Sequence, residues 1–419
     1  MAVQLTALLI FIAIFAIATL REVHVGILMF AAVCGVGVWL TEMPLADVVG
    51  GFPIGIMILL VGVTYFFGIA QANGTIDRAI QATLGRVGGN AVLLPFVFFA
   101  LTAAVSAMGS PLAGLVMAPV GMPVAKKCRM DPMLMALAIG TGLSAGAFAP
   151  TSLFGIVSYG TARRADIDLS PLTLWAVAVI ANLVLLIAAF LIFGGPKLVE
   201  RRGTFSASIA AASPAPFTFH QIATIVSVIG LIVAIIACSL AGLDADVGVL
   251  SFAFGASLTL IDPDAGRAAV SRIDWSTALL VGGIITFVSV LQHMGSVDLL
   301  GDAAKNVGVP ILAALVICGI GGLVSAFAST TGILAALVPL APPVVASGDI
   351  AGWALICALA VCSSIVDVSP VSTVGATLVA TADREDRPRM TSLLTRWGMS
   401  MVVIGPIALV GILVLPGAL

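Results

Sequence analysis

The chain has 419 residues, of which 61% are hydrophobic and only 9% are charged, and its mean hydropathy is +1.22. Because a soluble protein carries about 25% charged residues, this composition excludes a soluble domain and indicates a polytopic membrane protein. The net charge of −2 points to no particular partner, and we expect no nucleic-acid partner. The six scattered cysteines form neither a metal pattern nor a disulfide framework.

Ten apolar runs are long enough to be predicted as transmembrane spans. The first is too long and unbroken for a signal peptide and is therefore kept as a span. The runs lie at about 2–20, 24–41, 54–72, 132–162, 170–194, 219–241, 246–261, 276–293, 350–381 and 391–416.

Two further apolar stretches, at about 89–126 and 309–347, are each split by a polar turn near the middle. Their arms of about 15 residues are short for a crossing at 1.5 Å per residue, so we predict two re-entrant helical hairpins. The alternative is that each stretch crosses the membrane twice, because the charge pattern fits this topology and the hairpin topology equally well. Amphipathic segments at 74–88 and 296–308 precede the hairpins and are predicted to lie at the membrane interfaces.

The second half of the chain repeats the first at a spacing of about 220 residues. Leu-Leu-Val-Gly at 59–62 recurs at 279–282, Pro150 recurs as Pro370, and Ser144 recurs as Ser364. The predicted organisation is a first repeat at 1–196, a cytoplasmic linker at 197–218 and a second repeat at 219–419. Since each half has five spans and one hairpin, the two repeats are expected to be inverted, as in secondary transporters.

The basic residues predict the orientation in the membrane. With this topology, 15 of the 18 Lys and Arg residues lie on one face, and only Arg163, Arg164 and Lys305 lie on the other. The positive-inside rule makes the rich face cytoplasmic, so both termini are predicted to be extracytoplasmic.

Polar breaks at the two hairpin turns and in two of the spans are the candidate site. Proline frees backbone carbonyls, and irregular backbone at membrane depth is tolerated only where it is buried in protein or lines a cavity. Carbonyls and hydroxyls would cage a cation such as sodium, while helix N-termini would face an anion. The alternative is a purely structural role, in which these small residues only help the helices to pack. The expected cation ligands are Ser106, Gly109, Gly146, Ser325, Ser329 and Asp367. The expected substrate-binding residues are Ser110, Pro111, Thr151, Ser152, Ser329, Thr330, Thr331, Ser372 and Thr373.

Asp367 is the one acid well inside an apolar span, three residues before Pro370. An ionisable residue at membrane depth is a functional candidate, which here would ligate sodium or carry a proton. The alternative is that Asp367 caps the broken helix. Its counterpart in the first repeat is Ala147. Since no Lys or Arg lies in the interior, the charge of an anionic substrate must be balanced by co-transported cations and helix ends.

At these residues the chain resembles the ion transporter superfamily, and most closely its malonate/dicarboxylate carrier branch, which is related to the divalent anion/sodium symporters. Those symporters carry a Ser-Asn-Thr triplet at each hairpin tip, with a proline ten residues after its Ser. Ser329-Thr330-Thr331 with Pro339 matches with one substitution, whereas Gly109-Ser110-Pro111 with Pro119 keeps the spacing but no triplet residue in register. The resemblance implies a homodimeric elevator carrier of the bacterial inner membrane, with sodium as coupling ion.

The sequence therefore predicts an all-α, polytopic membrane protein that imports small dicarboxylates such as malonate or C4-dicarboxylates, coupled to a cation. The alternative is a proton-coupled symporter of another small organic acid with Asp367 as proton carrier. A separate solute-binding protein stays possible. An intramembrane enzyme is disfavoured, because Asp367 has no second acid or histidine nearby in sequence.

Overall fold

The protein is all-helical, with helix over 83% of the chain and no strand among the residues described. The computed structural model describes residues 2–21, 23–87, 91–109, 113–200, 216–240, 246–296, 310–326, 330–341, 345, 350–370 and 372–417. Most of the predicted linker and of the second amphipathic segment lies outside this part.

The helices of the first half follow the predicted runs. The span predicted at 132–162 is two helices, because the chain leaves the helix around Pro150. The helices are α1 (Ala2–Arg21), α2 (Val25–Gly35, continued by a π-helical turn Val36–Leu40), α3 (Leu45–Gly50), α4 (Ile54–Ala72), α5 (Thr75–Val87), α6 (Leu94–Ala107), α7 (Ala113–Lys127), α8 (Pro132–Ala147), α9 (Leu153–Arg164), α10 (Pro171–Ile192) and α11 (Gly195–Glu200).

The second half contains a similar series, and its last predicted break falls around Pro370. These helices are α12 (Phe219–Leu240), α13 (Val247–Ile261), α14 (Pro263–Val270), α15 (Trp275–His293), α16 (Pro310–Ser325), α17 (Thr330–Leu337), α18 (Gly352–Ser364), α19 (Thr373–Thr381) and α20 (Arg387–Leu409, continued by a π-helical turn Val410–Val414). The short helices α3, α11 and α14 were not predicted. In α14, Asp262 accepts a hydrogen bond from the Ala265 N–H at 3.1 Å and Pro263 opens the first turn, which is enough to start a helix in a connecting loop.

The outer surface of the bundle suits a lipid environment. Four helical segments, α4, α10, α15 and Arg387–Val414, are long and apolar enough to cross a membrane by length and composition. Large apolar side chains also point outward from shorter helices, with Trp39 and Leu260 each 86% exposed. Apolar side chains in such numbers on the outside are expected where the surrounding solvent is lipid.

The two halves pack on each other through matching pairs of helices. Helix α2 packs on α15, and α4 packs on α13. In the first pair Gly26 lies against the backbone of Leu279, and in the second Gly248 lies against the backbone of Leu59, so that neither glycine leaves room for a Cβ atom. Leu59 and Leu279 are separated by the repeat spacing.

The hairpins and broken helices form a second group of interlocking elements. The first arm of each hairpin packs along the first segment of its own half's broken helix, α6 on α8 and α16 on α18. The second arms cross over, because α7 packs on α19 and α17 packs on α9. This crossing brings the two hairpin tips and the two breaks into one region.

Candidate transport site

The first hairpin tip is held to the first break by neutral hydrogen bonds. The Ser106 hydroxyl donates to the Leu143 carbonyl at 2.9 Å. The Ser152 hydroxyl donates to the Ser106 carbonyl at 2.6 Å, and the Thr151 hydroxyl donates to the Ala107 carbonyl at 2.6 Å. All three bonds join a hydroxyl to a backbone carbonyl, so this contact contains no ionisable group.

A left-handed residue turns the chain at this tip. Gly109 has a φ of +74°, a conformation that glycine adopts at little cost. Its N–H donates to the Ser106 carbonyl at 3.0 Å. A Cβ atom added to Gly109 would lie 3.0 Å from Val63 of α4, so the tip packs directly against that helix.

The second hairpin tip is held through a carboxylate instead. The Thr330 hydroxyl at the start of α17 donates to Asp367 Oδ2 at 2.6 Å. Ser325, the last residue of α16, lies 2.7 Å from the same hydroxyl oxygen. Because the Thr330 proton points to Asp367, Ser325 must be the donor to Thr330. The result is a directed row of hydrogen bonds from Ser325 through Thr330 to Asp367.

The surroundings of Asp367 are rich in oxygen. The Ser363 carbonyl lies 3.5 Å from the Thr330 hydroxyl, and Ser325 and Thr330 are both buried. Among the described residues, no group of three or more His, Cys, Asp and Glu residues could hold a metal ion. Any cation held here would have to rely on hydroxyls, carbonyls and the single Asp367 carboxylate, which are the ligand types that hard cations prefer.

Ser372 is the residue that caps α19. Its hydroxyl accepts a hydrogen bond from the Gly375 N–H at 3.1 Å and lies within hydrogen-bonding distance of the Asp367 and Ser369 carbonyls. The alternative in which Asp367 caps this helix does not describe the structure. Its carboxylate reaches the hairpin tip, and only its backbone carbonyl meets Ser372.

A buried polar contact joins the two broken helices between the tips. Ser144 on α8 and Ser364 on α18, which are 220 residues apart, are hydrogen-bonded at 2.7 Å. Asn182 on α10 donates to the Ser144 hydroxyl at 3.1 Å and to the Ala178 carbonyl at 2.9 Å. Asn182 was not predicted as a site residue. The signal was available, because it is the only amide in the apolar run at 170–194.

The remaining predicted residues fall in three groups. Ser110, Pro111 and Ser329 lie outside the described residues, as does the side chain of Thr373, whose backbone opens α19. Thr331 is buried on α17. Gly146 lies against the Ala103 carbonyl of α6, which allows α8 and the hairpin to approach closely.

A family model matches the first part of the chain. Residues 1–147 match the family model described as the dicarboxylate carrier protein MatC N-terminus. The first third of the chain is therefore similar to the N-terminal part of dicarboxylate carriers. The match ends at Ala147 and includes both Ser106 of the first tip and Ser144 of the central contact. It confirms the family resemblance that the motifs indicated.

A solved structure supports the fold over most of the chain. The crystal structure of the Alcanivorax borkumensis YdaH transporter matches with a TM-score of 0.57 at 14% identity, over 87% of this chain and 86% of that one. No curated protein matches the sequence. Both matches are to transporters: the family model describes a dicarboxylate carrier, and the solved structure with the similar fold is a transporter.

Proposed function

We propose that the chain is a secondary active transporter that imports small dicarboxylates, malonate or a C4-dicarboxylate first, coupled to sodium. The observation that carries this proposal is the hydrogen-bonded row from Ser325 through Thr330 to Asp367, in a chain whose first third matches the family model of the dicarboxylate carriers. The row links the second hairpin to the break in α18–α19. Cation binding at the carboxylate and closure of that hairpin are therefore coupled.

Electrostatics explains why an anion carrier would place a carboxylate beside its substrate. Two like charges 4 Å apart repel by about 4 kcal/mol at an effective dielectric constant of 20. An ionised Asp367 would therefore exclude a dicarboxylate until a cation is bound. That requirement makes binding of the substrate depend on the sodium ion, which is the condition for coupled transport.

Paired contacts support two inverted repeats at 1–196 and 219–419, with the linker at 197–218 between them. Ser144 meets its own counterpart Ser364, as residues near a two-fold axis do. The packing of α2 on α15 and of α4 on α13 uses counterpart leucines in both places. We assign the same architecture to both halves on this basis.

An elevator motion fits the separation into two groups of helices. In this proposal α2, α4, α13 and α15 form the fixed scaffold, and the hairpins with α8, α9, α18 and α19 form the moving part. The protein would act as a homodimer in the bacterial inner membrane, with both termini extracytoplasmic. A separate solute-binding protein is compatible with this scheme.

Uptake of labelled malonate and succinate into proteoliposomes tests the proposal. We expect an inward sodium gradient to drive uptake by the wild-type protein and Asp367→Asn to abolish it. Uptake that is unchanged when sodium is replaced by choline would contradict sodium coupling. Failure to take up either acid under any gradient would remove dicarboxylates as substrates.

A proton-coupled symporter of another small organic acid is the second candidate. The observation that favours it is that Asp367 itself can accept a proton at the end of the hydroxyl row. Uptake driven by a pH gradient in the absence of sodium, and lost in Asp367→Asn, would support this candidate over the first.

A further inference from the structure

A small polar cavity lies away from the hairpin tips, between the end of α9 and the end of α15. Its volume is about 210 Å³. Its polar side chains are Thr161 and Arg164 from α9 and Ser289 and Gln292 from α15, and the end of α3 and the second hairpin close it at Gly51 and Pro339. We propose that this cavity binds one carboxylate group of a small organic acid, at a site separate from the transport site.

The charge of the cavity favours an anion. Arg164 donates to the Gly51 and Phe52 carbonyls, each at 3.2 Å. These bonds use two of the five N–H donors of the guanidinium group, so three are left for a ligand. No carboxylate is among the described residues that line the cavity. The neighbouring cavity of about 470 Å³ differs, because Asp246 lines it together with Arg163 and Arg164.

The neutral side chains of the cavity add hydrogen-bond donors. Thr161 is buried, and its hydroxyl has no hydrogen-bond partner among the described residues. An unpaired buried hydroxyl is unfavourable, and a ligand oxygen would relieve this. Ser289 is half-buried on α15 and Gln292 is exposed at the end of that helix, so both can donate from the opposite wall. A guanidinium group, two hydroxyls and an amide match the acceptors of a carboxylate.

The size of the cavity restricts the ligand. Pockets for drug-sized molecules usually measure about 300–1,000 Å³, and this one is smaller. An acid of three or four carbons can place one carboxylate beside Arg164 and leave the rest of the molecule at the open side. The ligand class is thus the class of the proposed substrate.

The position of the cavity gives it a regulatory role, and this step rests on the proposed function. Helix α9 belongs to the proposed moving part and α15 to the proposed scaffold. A carboxylate that contacts Arg164 on one and Gln292 on the other holds the two parts together. Transport then slows when the acid is abundant enough to fill this second site.

Equilibrium binding of labelled malonate to the purified protein in detergent tests the site directly. We expect two malonate molecules per wild-type chain and one per Arg164→Gln chain. Arg163→Gln is the matched control, because it removes the same charge from the neighbouring residue. Arg163 lines the neighbouring cavity but not this one, so this variant should still bind two malonate molecules. Equal numbers of bound malonate molecules in the wild type and in Arg164→Gln, or the same loss in Arg163→Gln, overturn the proposal.

Competition identifies the anion that the site takes. Acetate and succinate should displace the malonate molecule that depends on Arg164, whereas equal concentrations of chloride and sulfate should leave most of it bound. Displacement by chloride at equal concentration would overturn the carboxylate assignment. The result is independent of uptake: if no dicarboxylate is transported, the proposed function fails, but a malonate molecule lost only in Arg164→Gln still establishes this site.

Kinetics tests the regulatory role. Initial uptake by the wild-type protein should rise with malonate and then fall at least two-fold at the highest concentrations. Gln292→Leu leaves the hydrogen bonds from Arg164 to the α3–α4 connection intact. It should remove the fall, with rates at low malonate within two-fold of wild type. Arg164→Lys keeps the charge and should retain part of the fall. Simple saturation in the wild type, or an equal fall in Gln292→Leu, would refute the regulatory step.

Discussion

The two hairpin tips occupy equivalent places in the fold and are held in chemically different ways. At the first tip, Ser106, Thr151 and Ser152 donate only to backbone carbonyls. At the second tip, the corresponding contact runs through Thr330 to the carboxylate of Asp367. The first contact contains no ionisable group, whereas the second includes the carboxylate of one side chain. Under the proposed function, we expect an ion to control the second hairpin more strongly than the first.

The carboxylate is the largest difference between the two halves. Moving it tests whether the halves are interchangeable: Asp367→Ala combined with Ala147→Asp puts the acid at the counterpart position. We expect uptake to stay about 100-fold or more below wild type. Ala147 is buried, and the hydroxyls of the first tip are already donated to carbonyls, so the new charge would be uncompensated.

Sodium-driven malonate uptake in proteoliposomes measures this effect. Thermal unfolding of the same preparation must show that the double variant is folded. Ala147→Asp alone is the control, because it measures how much the new buried acid by itself lowers uptake and stability. Recovery of more than a tenth of wild-type uptake in the double variant would show that the two tips are equivalent after all.

The hydroxyl row gives the next largest effect. Thr330→Val keeps the shape of the side chain but removes the donor to Asp367. A hydrogen bond to a charged group contributes about 1.5–3 kcal/mol, so the sodium concentration for half-maximal uptake should rise by about 10- to 100-fold. Thr330→Ser should restore most of the sodium affinity, since it keeps the hydroxyl.

The matched change at the first tip is Thr151→Val, which removes a hydroxyl from a carbonyl instead of a carboxylate. We expect its sodium dependence to stay within about two-fold of wild type, because no charged group loses a partner. Sodium titrations of uptake compare the two variants side by side. Equal shifts in both would mean that the charge at the second tip is not what distinguishes them.

The parts of this comparison that could be predicted from the sequence are those carried by local pattern. Clusters of proline and small polar residues interrupt the apolar runs at four places, so both hairpins and both breaks were predicted, and Asp367 stood out as an acid in an apolar span. The contact between Thr330 and Asp367 joins residues from different helices, and only folding reveals it. The same holds for the cavity at Arg164 and Gln292, which distant helices form together.

Asn182 shows a different limit. Its counterpart at the repeat spacing is Val402, so the repeat itself did not draw attention to it. In the structure Asn182 donates to Ser144 in the contact between the two broken helices. A single amide thus makes the central contact asymmetric, on the side of the first half.

The smallest expected effect comes from this amide. Asn182→Val makes position 182 the same residue as its counterpart Val402. Hydrogen bonds between membrane helices contribute on average about 0.6 kcal/mol and at most about 1.7 kcal/mol, so the loss of stability should fall in this range. Unfolding in sodium dodecyl sulfate mixed with a mild detergent measures it, with Asn182→Gln as a control that keeps the amide.

Sodium-driven uptake by Asn182→Val should stay within about two-fold of wild type. The Ser144–Ser364 hydrogen bond persists without the amide, because Ser144 donates to Ser364 and Ser364 donates onward to the Val361 carbonyl at 3.1 Å. If Asn182→Val changed the sodium affinity more than Thr330→Val does, the central contact would control sodium binding. The chemical difference between the two tips would then not explain the sodium dependence.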